Sequence, residues 1–480
     1  AAHMGRGRAG EVLETVQTVL TALILAFTFR AFFVEAFIIP TGSMAATLLG
    51  AHSTWTCPAC GWEYDVTWPA DDTLCPNCHL RSPLPEDGAQ RKAGDRILVH
   101  KWPMMFSRWL GPRRWDVIVF RNPAEPDENY IKRLVGLPNE TIEIIDGDVF
   151  IDGQIARKPH RAQEVLWSVV FDQNHLPYAD AASAMTPHWV GDDNPAENGD
   201  GWAGLSSRVI TYRGRGGNPH AIRFAPYDPR YFQDVSAYNR GPSRPVAPFV
   251  NDLRIVGELS LIDGAGGVRF ELERGERRFV VELDVNGSAS LFMGETGSRA
   301  PLQLVHATRI AALSPGLPRR VEFGHVDYRV YFRVDGRELL ATNDEDYTPD
   351  IDVLRESGGG QPAVLRIAAM DLDLELRGLR VDRDVYYTYR AGVTRRANAG
   401  NPFALRGDEY FVLGDNSADS RDSREWTEHG PHLPADYRPG TVPADQIVGP
   451  AAAVYLPGLL PASGLIQWRL PDVGRMRFVR

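Results

Sequence analysis

Cysteine is scarce in this chain, with four residues in 480, and all four fall between residues 57 and 78. An excess of positive charge is also missing. The net charge is −10 with both signs interspersed, which argues against a general nucleic-acid binder, because such a protein needs a basic field. No internal repeat is evident. A second long apolar run is absent too, since the patch from Val454 to Ile466 is broken by Pro457, Pro461 and Gly464. What remains is ordinary for a folded chain. Apolar residues make up 43% and charged residues 24%, which argues against bulk disorder and allows large cores spread over two to four domains.

One apolar run is present, from Val12 to Phe29. It follows Arg6 and Arg8 and resumes after Arg30 as Ala31-Phe32-Phe33-Val34. Residues 1–3 are unlike native sequence, and Met4 is read as the start. The run is at the short end for a membrane span and carries Glu14, Gln17 and Thr18. A buried helix and a cleaved signal peptide are the competing readings. The basic flank and the lack of a clean small-x-small site favour an uncleaved anchor over residues 11–35. Residues 1–10 are then cytoplasmic, and everything after Phe37 is extracytoplasmic.

Three short stretches carry chemistry. Pro40-Thr41-Gly42-Ser43-Met44 offers a serine just beyond the anchor. Tyr130-Ile131-Lys132-Arg133 offers a lysine in an apolar strand. Gly414-Asp415-Asn416 through Arg424 is a dense polar loop able to hold both. A serine needs a base to attack a carbonyl, and a desolvated lysine can serve. Lowering a lysine pKa by ~3 units requires about 4 kcal/mol of selective destabilisation of the ammonium. Tyr130, Ile131, Leu134 and Val135 supply the apolar neighbours.

These boxes, taken in order with Gly94-Asp95-Arg96-Ile97-Leu98-Val99 and Arg114-Trp115-Asp116-Val117-Ile118-Val119-Phe120, resemble bacterial type I signal peptidase. The resemblance implies a mainly β, signal-peptidase-type catalytic core behind an N-terminal transmembrane helix. It implies a membrane-anchored serine endopeptidase that removes signal peptides from exported preproteins, with no cofactor needed for catalysis. Ser43 falls on the nucleophile and Lys132 on the general base. Thr41 falls on a side-chain donor of the oxyanion hole. Ser420 falls on the serine that hydrogen-bonds the lysine ammonium. Asp422 and Arg424 fall on a structural ion pair, with Asp415 and Asn416 opening that box. Phe37, Ile39 and Ile131 fall near small-residue substrate pockets. The implied partners are preproteins, membrane lipids and the export translocon, with no nucleic acid, at the bacterial cytoplasmic membrane. Two steps depart from the family pattern: Leu137-Pro138-Asn139-Glu140 after the lysine, and Ala45-Ala46-Thr47 after the serine. Neither removes a catalytic group.

On this reading the catalytic core is discontinuous, formed by residues 36–50, 94–157 and 406–480. Two inserts interrupt it. Residues 51–93 carry Cys57-Pro58-Ala59-Cys60 and Cys75-Pro76-Asn77-Cys78, a spacing typical of a zinc ribbon, in which four thiolates on two tight turns make a closed structural site. Two disulfides are the alternative, encouraged by an extracytoplasmic location. His79 is a further possible ligand. Residues 158–405 form the larger insert. Its first part, to about residue 250, is rich in Asn, Asp, Gly and Pro and reads as irregular. From about 254 to 385 apolar and polar residues alternate strongly, and Val334-Asp335-Gly336-Arg337 signals a hairpin. The alternation resembles a concanavalin-like β-sandwich, without a calcium loop or a convincing acid pair. A surface-anchored glycan- or protein-binding protein on a peptidase-like scaffold is therefore the competing function, and a soluble Ser/Lys self-cleaving repressor-type protease is a third. With its own core, the large insert is expected to be independent of the dyad.

Overall fold

The computed structural model describes residues 8–84, 92–102, 111–178, 188–192, 201–215, 217–226, 229–234, 236–238, 248–357, 360–389, 396–457 and 473–479. The chain is mainly β. Helix α1, Arg8–Phe32, covers the apolar run, with Arg30 in its last turn, where a cation suits the helix dipole. Val12, Leu13, Leu20, Ile24, Leu25 and Phe27 are exposed along it. Among the described residues no helix is long and apolar enough to cross a membrane. The expected helix is there, but Glu14, Gln17 and Thr18 interrupt its apolar surface.

An antiparallel sheet carries the strand that holds Lys132. Its strands run in the order Val34–Ile38, Arg96–His100, Ile447–Leu456, Val117–Arg121, Asn129–Gly136, Glu409–Leu413 and Val442–Pro443, with Arg477–Phe478 added beside Ile447–Leu456. Alternation explains why it is buried on both sides. Val117 and Val119 pack with Ile39, Met44, Leu48, Ile97, Val99 and Ile131, whereas Ile118 and Phe120 pack with Leu134, Val412, Trp426 and Val442. A smaller sheet, Gln154–Ile155, Asp148–Ile151, Thr141–Ile145 and Phe403–Ala404, lies alongside. Phe403 pairs with Ile142, and Ala397 and Leu405 pack against Ile144 and Phe411, so this packing begins before residue 406.

The third sheet contains thirteen strands. Leu253–Arg274 and Val364–Arg383 pair antiparallel along almost their whole lengths, with three register shifts. The side chains of this sheet form the main apolar core, which includes Phe270, Phe279, Phe323, Phe332, Leu374 and Trp189. The Asp335-Gly336 hairpin forms as its sequence predicts. Val334 faces Arg337, and both turn residues take left-handed φ, +50° and +78°. Residues 158–250 are less irregular than expected. Ser168–Asp172, Val209–Arg213 and His220–Phe224 all pair with Val364–Arg383. These strands are only five residues long, yet Ile210, Tyr212, Ile222 and Phe224 keep the two-residue alternation and are buried. The long strand supplies a partner that local composition does not reveal.

The cysteine region is two short hairpins, His52–Thr56 with Glu63–Thr67 and Asp72–Leu74 with Arg81–Pro83. It docks on the large insert. Asn77 Nδ2 donates to the His175 carbonyl (2.7 Å), Asn77 Oδ1 accepts from the Asp172 N–H (2.6 Å), and the Ala59 carbonyl accepts from the Tyr178 N–H (2.7 Å). The tail from 458 to 472 lies outside the described residues.

Candidate active site and cysteine cluster

Ser43 sits on a tight turn in which Ala45 N–H donates to the Gly42 carbonyl (3.0 Å) and Leu48 N–H to the Met44 carbonyl (2.8 Å). Burial of Met44 and Leu48 in the sheet core pins this turn over the strand that carries Lys132. Lys132 Nζ donates to Ser43 Oγ at 2.5 Å. The lysine is 5% exposed, and burial pulls its pKa down to about 8. Asp422 and Asp415 pull weakly the other way, and Arg424 adds to the depression. Near pH 7 about a tenth of the side chains are then neutral, far more than at an ordinary lysine.

The polar loop closes round this pair. Asp422 accepts from Gly414 N–H (2.9 Å) and from Arg424 Nε (2.8 Å) and Nη2 (2.7 Å). Arg424 also reaches Ser417 Oγ and the Thr388 carbonyl. Asp415 is held bidentately by Arg133 Nε and Nη2, both at 2.7 Å, and accepts from Thr47 Oγ1 at 2.5 Å. Asn416 N–H donates to the Ser43 carbonyl (3.1 Å), and its Nδ2 donates to the Gly42 carbonyl (3.0 Å). Gly414 must lack a side chain, because a Cβ there would lie 2.0 Å from Ser420 Oγ and 2.6 Å from the Ser43 carbonyl oxygen. Ser420 is buried, and its hydroxyl helps to hold the Asp422 carboxyl below its usual pKa; among the described residues Lys132 Nζ is seen to bond Ser43 Oγ and not Ser420.

A cleft of about 700 Å³ opens over the pair, lined by Thr41, Gly42, Ser43, Tyr130, Ile131 and Lys132 among others. Thr41 is exposed at its edge. Of the three expected substrate-pocket residues only Ile131 lines this cleft. Ile39 is 2% exposed and belongs to the core, because it packs with Met44, Leu48, Ile97 and Val99. Phe37 borders a neighbouring cavity that shares Asn129 with the cleft.

The sequence reading missed Arg133, Thr47 and the segment Ser236-Ala237-Tyr238. Successive strand residues face opposite ways, so two basic residues side by side in a buried strand already demand a second acid. The segment 236–238 had no such signal. Ala237 N–H donates to Asn416 Oδ1 (3.0 Å), Ser236 Oγ to Asp419 Oδ2 (3.0 Å), and Gly50 N–H to the Tyr238 hydroxyl (2.8 Å). The large insert, which has its own core, therefore also touches the Ser43 turn.

Cys57, Cys60, Cys75 and Cys78 are buried free thiols whose sulfurs all lie within 4.8 Å of one another. Cys57 Sγ is 3.5 Å from Cys78 Sγ, and Cys60 Sγ is 3.6 Å from Cys75 Sγ. A tetrahedral site with metal–sulfur bonds of about 2.3 Å has edges of about 3.8 Å, so the donor set fits zinc. The two knuckles are built alike. Gly61 N–H bonds the Cys57 carbonyl and His79 N–H the Cys75 carbonyl, both at 2.9 Å, and both residues have positive φ. The His79 ring stacks on Tyr231, with centroids 3.4 Å apart.

Residues 88–188 and 369–456 match the family described as signal peptidase, peptidase S26, a class of proteolytic hydrolases. The matched stretches contain Lys132 and the 414–424 loop and leave out Ser43. Signal peptidase I of Pseudomonas aeruginosa is 27% identical over 181 residues, covering 35% of this chain and 49% of that protein. Signal peptidase I of Leptolyngbya laminosa is 28% identical over 151 residues, covering 30% and 51%. Over these stretches, less than half of its length, the chain is similar to the type I signal peptidases. It spans about half the length of these curated relatives. Among solved structures, carbohydrate-binding module CBM66 from Bacillus subtilis matches with a TM-score of 0.26 and 12% identity, covering 41% of this chain and 96% of that one. The carbohydrate recognition domain of Emp46p matches with a TM-score of 0.30 and 9% identity, covering 45% and 97%. Likeness at this level carries no argument about what the large sheet binds.

Proposed function

We propose that the protein is a serine endopeptidase that removes signal peptides from exported preproteins, with Ser43 as nucleophile and Lys132 as general base. The observation that carries this reading is the 2.5 Å contact between Ser43 Oγ and a buried lysine whose pKa is lowered to about 8. Neutral Lys132 takes the Ser43 hydroxyl proton as Oγ attacks the carbonyl carbon of the scissile bond. The oxyanion that forms is met by backbone N–H and by Thr41 at the cleft edge. The lysine ammonium passes its proton to the leaving amine, which departs and leaves an ester on Ser43. Water, deprotonated by Lys132, then attacks that ester and releases a carboxylate. Ser420 Oγ, buried beside Asp422, is available to steady the ammonium.

The catalytic core in this reading is 36–50, 94–157 and 406–480, and its inserts are a zinc-ribbon-like unit at 51–93 and a β-sandwich unit at 158–405. Zinc on the four cysteines is structural: all four positions of a tetrahedron are taken by thiolates, so no site is open for substrate. Helix α1 anchors the enzyme in the cytoplasmic membrane with the catalytic core outside. Its exposed apolar side chains have no cover in water, and a bilayer supplies it. Membrane lipids and the translocon are its neighbours there.

The test is cleavage of a preprotein by detergent-solubilised protein free of host peptidase, beside Ser43→Ala and Lys132→Arg. The expected result is cleavage only by the wild type, because a guanidinium does not shed its proton at usable pH. Turnover by either variant refutes the dyad.

A further inference from the structure

Part of the wall of the Ser43 cleft comes from outside the catalytic sheet. Tyr238, from the large insert, lines it together with Gly42, Ser43 and Ile131. The Cε2 edge of the ring lies against Gly42 of the serine turn. A Cβ added to Gly42 would fall 1.9 Å from Tyr238 Cε2 and 2.7 Å from Cδ2, so the ring fills the space that any other residue at 42 would occupy. Ala45 and Leu49 pack against it, and the side chain is 3% exposed.

The ring is also pinned. Its hydroxyl accepts from Gly50 N–H at 2.8 Å. One residue earlier, Ala237 N–H donates to Asn416 Oδ1 (3.0 Å), while the same Asn416 donates to the Gly42 carbonyl (3.0 Å) and to the Ser43 carbonyl (3.1 Å). Two residues earlier, Ser236 Oγ donates to Asp419 Oδ2 (3.0 Å), and Asp419 itself lines the cleft. Three anchors within three residues place the ring against the nucleophile turn with little freedom to move aside. A well-packed interior yields to added bulk only at a cost.

Resting on the peptidase reading above, we propose that Tyr238 is a specificity-determining residue of this enzyme: its ring is a fixed wall, lent by the insert, that limits the bulk of the substrate side chain lying along the Gly42 edge of the cleft. Because Gly42 has no side chain, the Tyr238 ring itself borders that edge of the cleft. Shortening Tyr238 therefore opens a pocket continuous with the cleft. A difference of one or two methylenes in such a pocket is worth about 10- to 200-fold in kcat/KM.

The experiment uses the full chain in detergent and a peptide series in which each residue flanking the scissile bond is changed in turn from Ala to Val, Leu or Phe. Wild type, Tyr238→Ala, Tyr238→Leu, Tyr238→Phe and Ser43→Ala are compared by kcat/KM, with circular dichroism confirming that each variant is folded. At one flanking position, Tyr238→Ala is expected to raise the bulky-to-Ala ratio of kcat/KM at least ~10-fold. Tyr238→Leu should raise it less, and Tyr238→Phe, which keeps the ring, should leave it as in wild type. Either of the first two variants, if folded, suffices for the test. Ser43-dependent cleavage with the same side-chain preference in the folded variants overturns the assignment of Tyr238 and leaves the peptidase reading standing. A wild type that shows no Ser43-dependent cleavage overturns both.

Discussion

Replacing Lys132 with methionine should make the protein more stable at neutral pH and inactive at every pH. The lysine pKa falls from 10.5 to about 8 in the folded state, chiefly through burial. At about 1.4 kcal/mol per unit, holding the charged form inside the fold costs about 3 kcal/mol near pH 7. The sign follows from proton counting. Between pH 8 and 10.5 the unfolded chain binds more protons at this site than the folded one, so the contribution to stability rises with pH through that window. Below pH 8 the full cost is present, and by pH 10 it has dropped below about 1 kcal/mol. Methionine fills a similar volume with no charge to desolvate, but it forfeits the hydrogen bond to Ser43, worth about 1 kcal/mol. The net gain is then about 2 kcal/mol at pH 7 and nothing, or a slight loss, at pH 10. Urea unfolding of wild type and Lys132→Met at both pH values measures this. The difference between the two differences cancels every other titrating group. A Lys132→Met protein destabilised equally at pH 7 and pH 10 would show that the lysine is not selectively desolvated, and the case for it as a base near neutrality would go with it. The matching kinetic expectation is that wild-type kcat/KM rises with pH through an apparent pKa near 8.

Arg133→Met should lower stability by about 3–5 kcal/mol by stranding the buried Asp415 carboxylate, and Arg133→Met/Asp415→Leu should recover most of that loss in the same urea assay. Elemental analysis should find one zinc per chain. Chelation should expose Cys57, Cys60, Cys75 and Cys78 to a thiol reagent and speed proteolysis of residues 51–84, while four oxidised cysteines and no metal would refute the site. Replacing residues 165–395 with a Gly/Ser linker should cut cleavage even of short peptides, because Ala237 and Tyr238 brace the Ser43 turn; a folded deletion variant with wild-type peptide kinetics would contradict those contacts.

Much of this architecture is legible in the residues because it is governed by local rules. The unbroken apolar run Val117–Phe120 and the alternation in 326–334 report burial directly, and Asp335-Gly336 can hardly be anything but a tight hairpin. The Ser43–Lys132 approach and the Asp422–Arg424 pair were expected from the resemblance of their ordered boxes to type I signal peptidase, since each stretch alone is a weak signal. What was hidden depends on distant partners. The short strands between 168 and 224 look like loops until the twenty-residue strand Val364–Arg383 offers them an edge. Ile39 carries the same apolar signal whether it faces a cleft or a core, and only packing against Met44 and Leu48 decides. Tyr238 sits in a polar, proline-flanked stretch, and nothing in its neighbours announces that it rests on Gly42.

The strand Glu409–Leu413 completes the sheet beside the lysine strand, and Asp415 fastens both Arg133 and the Ser43 turn through Thr47. Ser43 and Lys132 leave the ribosome early, but their clamp is encoded more than 270 residues after the lysine. At roughly 5–20 residues per second that gap is on the order of tens of seconds. Through all of it the nascent chain holds a serine and a lysine without the loop that binds them together. On the proposed peptidase reading, a truncated product ending anywhere in the large insert carries Ser43 and Lys132 without that clamp and is expected to be inactive.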